Sequence, residues 1–114
     1  MVVTVVVHLT AKNEHVDKVK AKLIQASRVY VKDQGTINWY VHQDATDPTK
    51  FTIVERYEQG SYAQAHVNHP YFKEFCSYVN PLLAKPWEIH QLVELDTSNE
   101  VEVPPQTWSD ETKN

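Results

Sequence analysis

The residues best suited to chemistry fall in one stretch, Phe51 to Phe75, which reads FTIVERYEQGSYAQAHVNHPYFKEF. Alternation puts Phe51, Ile53, Glu55 and Tyr57 on one face of a strand, so an acid stands in an otherwise apolar row. If that row lies under helices, Glu55 loses water and needs a partner, which the nearby helix offers as His66; the competing reading is an ion pair with Arg28 or Lys73. Imidazole titrates near neutrality, which suits His66 to general base catalysis, against the alternative of a core-edge histidine held by one hydrogen bond. His66 and His69 are three residues apart, a helical spacing that with Glu55 would resemble a facial metal triad. Pro70 disfavours helical geometry at His69, so the two rings are expected to diverge, with no metal held and His69 serving as a turn and helix-start residue.

His8, Trp39, Tyr40, His42, Trp87 and His90 are further rings that could line a pocket for a planar ligand, although such residues are more often core or interface. Trp39 and Trp87 read as core. Tyr40 shares the parity of Asn38 and His42, and its hydroxyl is expected in the same cavity as Glu55. Cys76 falls on the apolar side of a helix with Phe72 and Val79, which favours burial over nucleophilic use.

These side chains need a frame to hold them. Val2 to Thr10 is β-branched and apolar on both alternating faces, as in a central strand covered on two sides. Asn13 is placed to cap a helix whose apolar positions Val16, Val19, Leu23, Ala26 and Tyr30 step by three and four until Gly35 ends it. Thr36 to Gln43 and Lys50 to Glu58 alternate as strands, joined by a hairpin turn with Asp47 before Pro48. Ser61 is placed to cap a short helix through Asn68, Pro70 opens another that buries Phe72, Phe75, Cys76 and Val79, and Trp87 to Leu95 resumes a strand. The order β-α-β-β-α-β predicts an α+β, ferredoxin-like unit with a four-stranded antiparallel sheet and helices on one face. The second apolar face then calls for another copy of the chain, which predicts a homodimer.

Composition narrows the functions. A chain of 114 residues, 41% hydrophobic and 23% charged, suffices for one domain, residues 1–95, followed by an acidic tail, residues 96–114. The net charge of −4 comes from that tail, since residues 1–95 carry ten basic and ten acidic side chains, and no basic stripe invites nucleic acid. The tail reads either as a disordered terminus or, because of Trp108, as a segment lying across the partner subunit. Two glycines are too few for a phosphate-cradling loop or a dinucleotide fingerprint. A single cysteine excludes an internal disulfide and fits a reducing, cytoplasmic location. No apolar run reaches the ~20 residues that span a bilayer.

The run INWYVHQDATDPTKFTIVERYEQGSYAQAHVNHPYFKEF resembles the antibiotic biosynthesis monooxygenase domain, the dimeric α/β-barrel group that also contains quinol monooxygenases. The likeness covers Val2 to Leu95. Tyr40, Asp47, Pro48, Phe51, Glu55, Tyr57, Ala65, His66, Pro70 and Phe72 carry it in order. Many relatives have Trp where Tyr57 stands and Gly-Cys where this chain has Thr36 and Ile37, and the Asn, Trp and His set of haem-degrading relatives is not evident. The resemblance implies cofactor-free oxygenation of an electron-rich aromatic, such as a hydroquinone or anthrone, by dioxygen. It implies His66 as base or proton shuttle, Glu55 as its orienting partner and Tyr40 as hydrogen bonder to a substrate oxygen, with Tyr57, His69, Phe72, Phe75 and Asn38 around the substrate. The family also contains isomerases, and a non-catalytic dimeric binding module is the alternative from another class.

Overall fold

Val3–Thr10 forms β1 at the centre of the sheet, where its odd-numbered side chains Val3, Val7 and Leu9 are buried. The computed structural model describes residues 1–106, and Trp108 lies outside them. A 3₁₀ turn at Asn13–His15 leads into α1, Val16–Tyr30, which buries Val19, Leu23, Ala26 and Tyr30 at the predicted three- and four-residue steps. Asn13 does not cap it: neither the turn nor α1 has a side-chain cap, and the chain enters the helix through the turn. Gly35 ends the excursion with φ at +79°, and a Cβ there would run into the ring of Tyr62, so glycine is required on both counts.

The hairpin is β2, Thr36–Gln43, and β3, Lys50–Tyr57. Its turn is held by Asp44, which accepts from the backbone of Thr46 and Asp47, and by Asp47, which accepts from Thr49. Two short helices follow, α2 at Gly60–Val67 and α3 at Pro70–Val79. No side chain caps α2, contrary to the expectation for Ser61, whereas His69 caps α3 by accepting the Tyr71 amide at Nδ1 (3.0 Å). A 3₁₀ turn at Asn80–Leu82 precedes β4, Glu88–Val93.

The sheet is antiparallel throughout, in the order β2-β3-β1-β4, which is the ferredoxin-like arrangement. The core, from Val7 and Leu9 through Leu23, Trp39, Ile53 and Phe75 to Val79, lies between this sheet and the helices. Ser27 Oγ donates to the backbone carbonyl of Trp39 at 2.6 Å and ties α1 to β2. The register then fixes which side chains meet. Trp39 is opposite Glu55, Glu55 is opposite Val5, and Val5 is opposite Gln91, giving one row across all four strands on the helix-covered face. A bulge between Thr36 and Asn38 brings Trp39 into that register.

Candidate active site

Glu55 is the one charged residue buried among the described residues, at 4% exposure, because its strand parity drives it under the helices with Ile53 and Tyr57. Two groups address its Oε1. The Tyr57 hydroxyl, two residues along the same strand face, donates to it at 2.5 Å, and His66 Nε2, on α2, stands 3.7 Å away. The second distance is beyond a hydrogen bond but within ion-pair reach. Neither Arg28 nor Lys73 is the partner of Glu55.

Burial pushes the Glu55 carboxyl up to about 7, against the opposing pull of the Tyr57 hydroxyl and the Trp39 indole. Burial also pushes the His66 imidazole down to about 4, with a smaller contribution from His69. At neutral pH the imidazole is therefore uncharged and the acid is near its midpoint. The Trp39 indole N–H forms no hydrogen bond of ordinary geometry among the described residues, so its effect on Glu55 is that of a nearby dipole.

Around this pair is a cavity of about 200 Å³. His66 is ringed by aromatic side chains, edge-on to Tyr30 at 4.0 Å and to Phe72 at 5.6 Å between centroids, with Trp39 and Tyr57 each at 6.0 Å. Phe75 and Trp87, stacked with centroids 6.2 Å apart, form a second wall. Gln64, Val67, Ile89 and Gln91, all exposed, form the side open to solvent. Tyr30 also lines the cavity, and its hydroxyl is buried without a partner among the described residues, with burial holding its pKa above the usual phenol value. Two unfilled donors beside one cavity are notable, since buried polar groups are almost always paired.

Of the residues singled out from the sequence, Glu55, His66, Phe72, Phe75, Trp39 and Trp87 line this cavity, whereas His8, His42 and His90 do not. Tyr57 supports it from beneath through Glu55. His69 does not line it; its Nε2 faces Asp33 Oδ1 at 3.3 Å, and together with His66 it borders a separate surface groove. The two imidazoles address different carboxylates, His66 Glu55 and His69 Asp33.

Tyr40 and Asn38 correct the sequence reading. Tyr40 pairs with Val54 and Asn38 with Arg56, so both occupy the opposite face of the sheet from Glu55. There Asn38 donates to the Tyr40 hydroxyl and accepts from Arg56, each at 2.9 Å, and Arg56 grips Glu94. Among the lining residues that sequence reasoning missed are three with polar side-chain groups, Tyr30, Gln64 and Gln91. Tyr30 read only as the last apolar step of α1, while the two glutamines carry no local signal because register and helix placement bring them in.

The sheet and its helices define a ferredoxin-like α+β domain with a buried acid and an imidazole beside an aromatic cavity. Residues 2–78 match the antibiotic biosynthesis monooxygenase family, and the chain belongs to it. Among solved structures the fold is similar to that of a protein from Nitrosomonas europaea named as an antibiotic biosynthesis monooxygenase, with TM-score 0.80, 19% identity and coverage of 86% of this chain and 94% of that one. A Deinococcus radiodurans protein of the same description gives TM-score 0.79 at 18% identity, covering 90% and 100%. A conserved protein of unknown function from Bacteroides thetaiotaomicron gives 0.75 at 14%, covering 80% and 95%. At these identities the likeness shows the fold alone. No curated protein matches the sequence.

Proposed function

We propose that the protein is a cofactor-independent monooxygenase that oxidises an electron-rich aromatic, such as a quinol or anthrone, with dioxygen. The observation that carries this reading is the Glu55–His66 pair, 3.7 Å apart and enclosed by rings in a cavity with room for an aromatic guest. His66, uncharged at neutral pH, takes the substrate's acidic proton at Nε2, and the Glu55 carboxylate stabilises the imidazolium that results. The pair titrates as a unit. The substrate anion gives one electron to dioxygen, the two radicals join in a carbon–oxygen bond, and the proton returns to the peroxide. Loss of water leaves a new carbonyl. For a quinol the products are the hydroxylated quinone and one water, so the substrate supplies every electron. On its far side His66 borders the groove that holds Asp33 and His69, which gives the proton a route to solvent.

A second copy of the chain completes the molecule in this reading. The open sheet face carries Val6, Val54, Tyr40 and Leu92 between its polar side chains, and β4 is exposed along its whole length. Two such faces packed together bury these residues. Val101 and Val103, exposed beyond β4, fit a segment that crosses to the partner.

Oxygen-electrode screening against quinols and anthrones, with a chelator present, tests the reaction. Chelator-resistant uptake with formation of the oxygenated product is expected. Binding without uptake across the panel would make the protein a binding module instead.

A further inference from the structure

His69 occupies the elbow between α2 and α3, between His66 and Phe72, two cavity residues whose rings meet edge-on. Backbone bonds run through it in both directions: its N–H donates to the His66 carbonyl at 3.1 Å, and its carbonyl accepts the Phe72 N–H at 2.9 Å. Both nitrogens of its ring are engaged as well. A backbone amide can only donate, so the Tyr71 N–H at 3.0 Å makes Nδ1 an acceptor and leaves the proton of the neutral imidazole on Nε2. That nitrogen faces Asp33 Oδ1 at 3.3 Å.

Asp33 is itself fixed. In the turn between α1 and β2 its N–H donates to the Tyr30 carbonyl at 3.0 Å, and its carbonyl accepts the Thr36 N–H at 3.1 Å. The same turn carries Gly35, against whose backbone the Tyr62 ring of α2 lies. α2 has no buried residue and no side-chain cap, so contacts at its ends and with this turn must hold it in place.

We infer that Asp33 and His69 form a latch that positions His66: Asp33 fixes the tautomer and tilt of the His69 ring, the ring caps α3, and the elbow so held keeps His66 and Phe72 against the cavity. Neither Asp33 nor His69 lines that cavity, so both are positioning residues. The inference rests on the proposed oxidation only for the use made of His66.

Its test needs no substrate. Diethyl pyrocarbonate modifies uncharged imidazoles at a rate set by their exposure, and mass spectrometry reads each histidine separately. The reaction is run at about pH 8, above the ordinary imidazole range. His66, with a side chain 10% exposed, is expected to react slowly in the unaltered protein. In Asp33→Ala it is expected to react about tenfold faster, the worth of one charge-assisted contact, while His15, at the opposite end of α1, keeps its rate. Asp33→Asn removes the same charge but keeps an oxygen facing Nε2, and its His66 rate is expected to stay within about twofold of the unaltered protein. Nitrogen NMR at the same pH is expected to find the His69 ring proton on Nε2 alone. A His66 rate unmoved by Asp33→Ala, equal rates in Asp33→Ala and Asp33→Asn, a parallel rise at His15, or a mixture of His69 tautomers overturns the latch. Oxygen uptake is read separately: silence there, with the latch observed, rejects the reaction and keeps the positioning of His66.

Discussion

Tyr57 donates its hydroxyl to Oε1 of Glu55 at 2.5 Å, from two residues along the same face of the same strand. This bond opposes the burial that would otherwise drive the acid still further from its charged form. It keeps the acid's titration near neutrality, so that a carboxylate is available beside His66 to stabilise an imidazolium.

Tyr57→Phe removes that donor with little loss of volume. The Glu55 pKa, about 7 in the intact protein, is expected to rise, and the acid limb of the pH–rate profile should move up by roughly one unit. A limb that stays in place would show that another group controls it.

The opposed shifts of Glu55 and His66 make a stability prediction with a definite sign. Glu55 is raised from 4.5 to about 7, so the folded state holds the proton more tightly and this contribution is lost as pH rises through that window. His66 is lowered from 6.5 to about 4, so its contribution is present above 6.5 and is lost as pH falls toward 4. Between about 4.5 and 6.5 the two slopes oppose each other. Urea unfolding should therefore show a nearly flat dependence in the intact protein, rising stability with pH in Glu55→Gln and falling stability with pH in His66→Gln, each by about 2–3 kcal/mol across its window. Equal slopes in both variants would contradict the assigned burial.

Tyr30→Phe removes a buried hydroxyl that has no hydrogen-bond partner among the described residues. No hydrogen bond is lost on folding, so stability should hold or rise by up to about 1 kcal/mol, whereas affinity for a phenolic guest should fall several-fold. Thermal melts with and without the guest measure both. Weakened melting without the guest would mean that the hydroxyl is already bonded.

Much of this frame is legible because burial acts on local patterns. The alternation in Lys50–Tyr57 and the three- and four-residue steps of α1 each follow from one buried side, and Pro70 marks the start of α3. The same logic places Tyr40: with Trp39 in the core and Glu55 under the helices, the residue beside Trp39 faces the other way. Asn38 follows the same parity. The inclusion of Tyr30, Gln64 and Gln91 was not legible, since it depends on how α1 and α2 settle and on pairing across β1, which joins residues distant in the chain.

The proposed dimer predicts that a charge on the open sheet face separates the subunits. Val54→Asp, with Val54 opposite both Val6 and Tyr40, should convert a dimer to a folded monomer in sedimentation velocity. Deleting Val101 to Asn114 should weaken the same association if the tail crosses the interface. A monomer in the unaltered protein at micromolar concentration would contradict the packing.

The most direct measurement of the central claim is a double-variant cycle on Glu55 and His66, read as oxygen uptake on a confirmed substrate with fold checked by circular dichroism. Each single alanine variant is expected to lose roughly 10²- to 10⁴-fold in rate, and the double variant little more than the worse single one, because the two side chains act as one proton-accepting unit. Tyr40→Phe, altering a residue outside the cavity, should stay within about twofold. Well-folded Glu55→Ala and His66→Ala proteins that keep near-normal turnover, or losses that simply multiply in the double variant, would contradict the account.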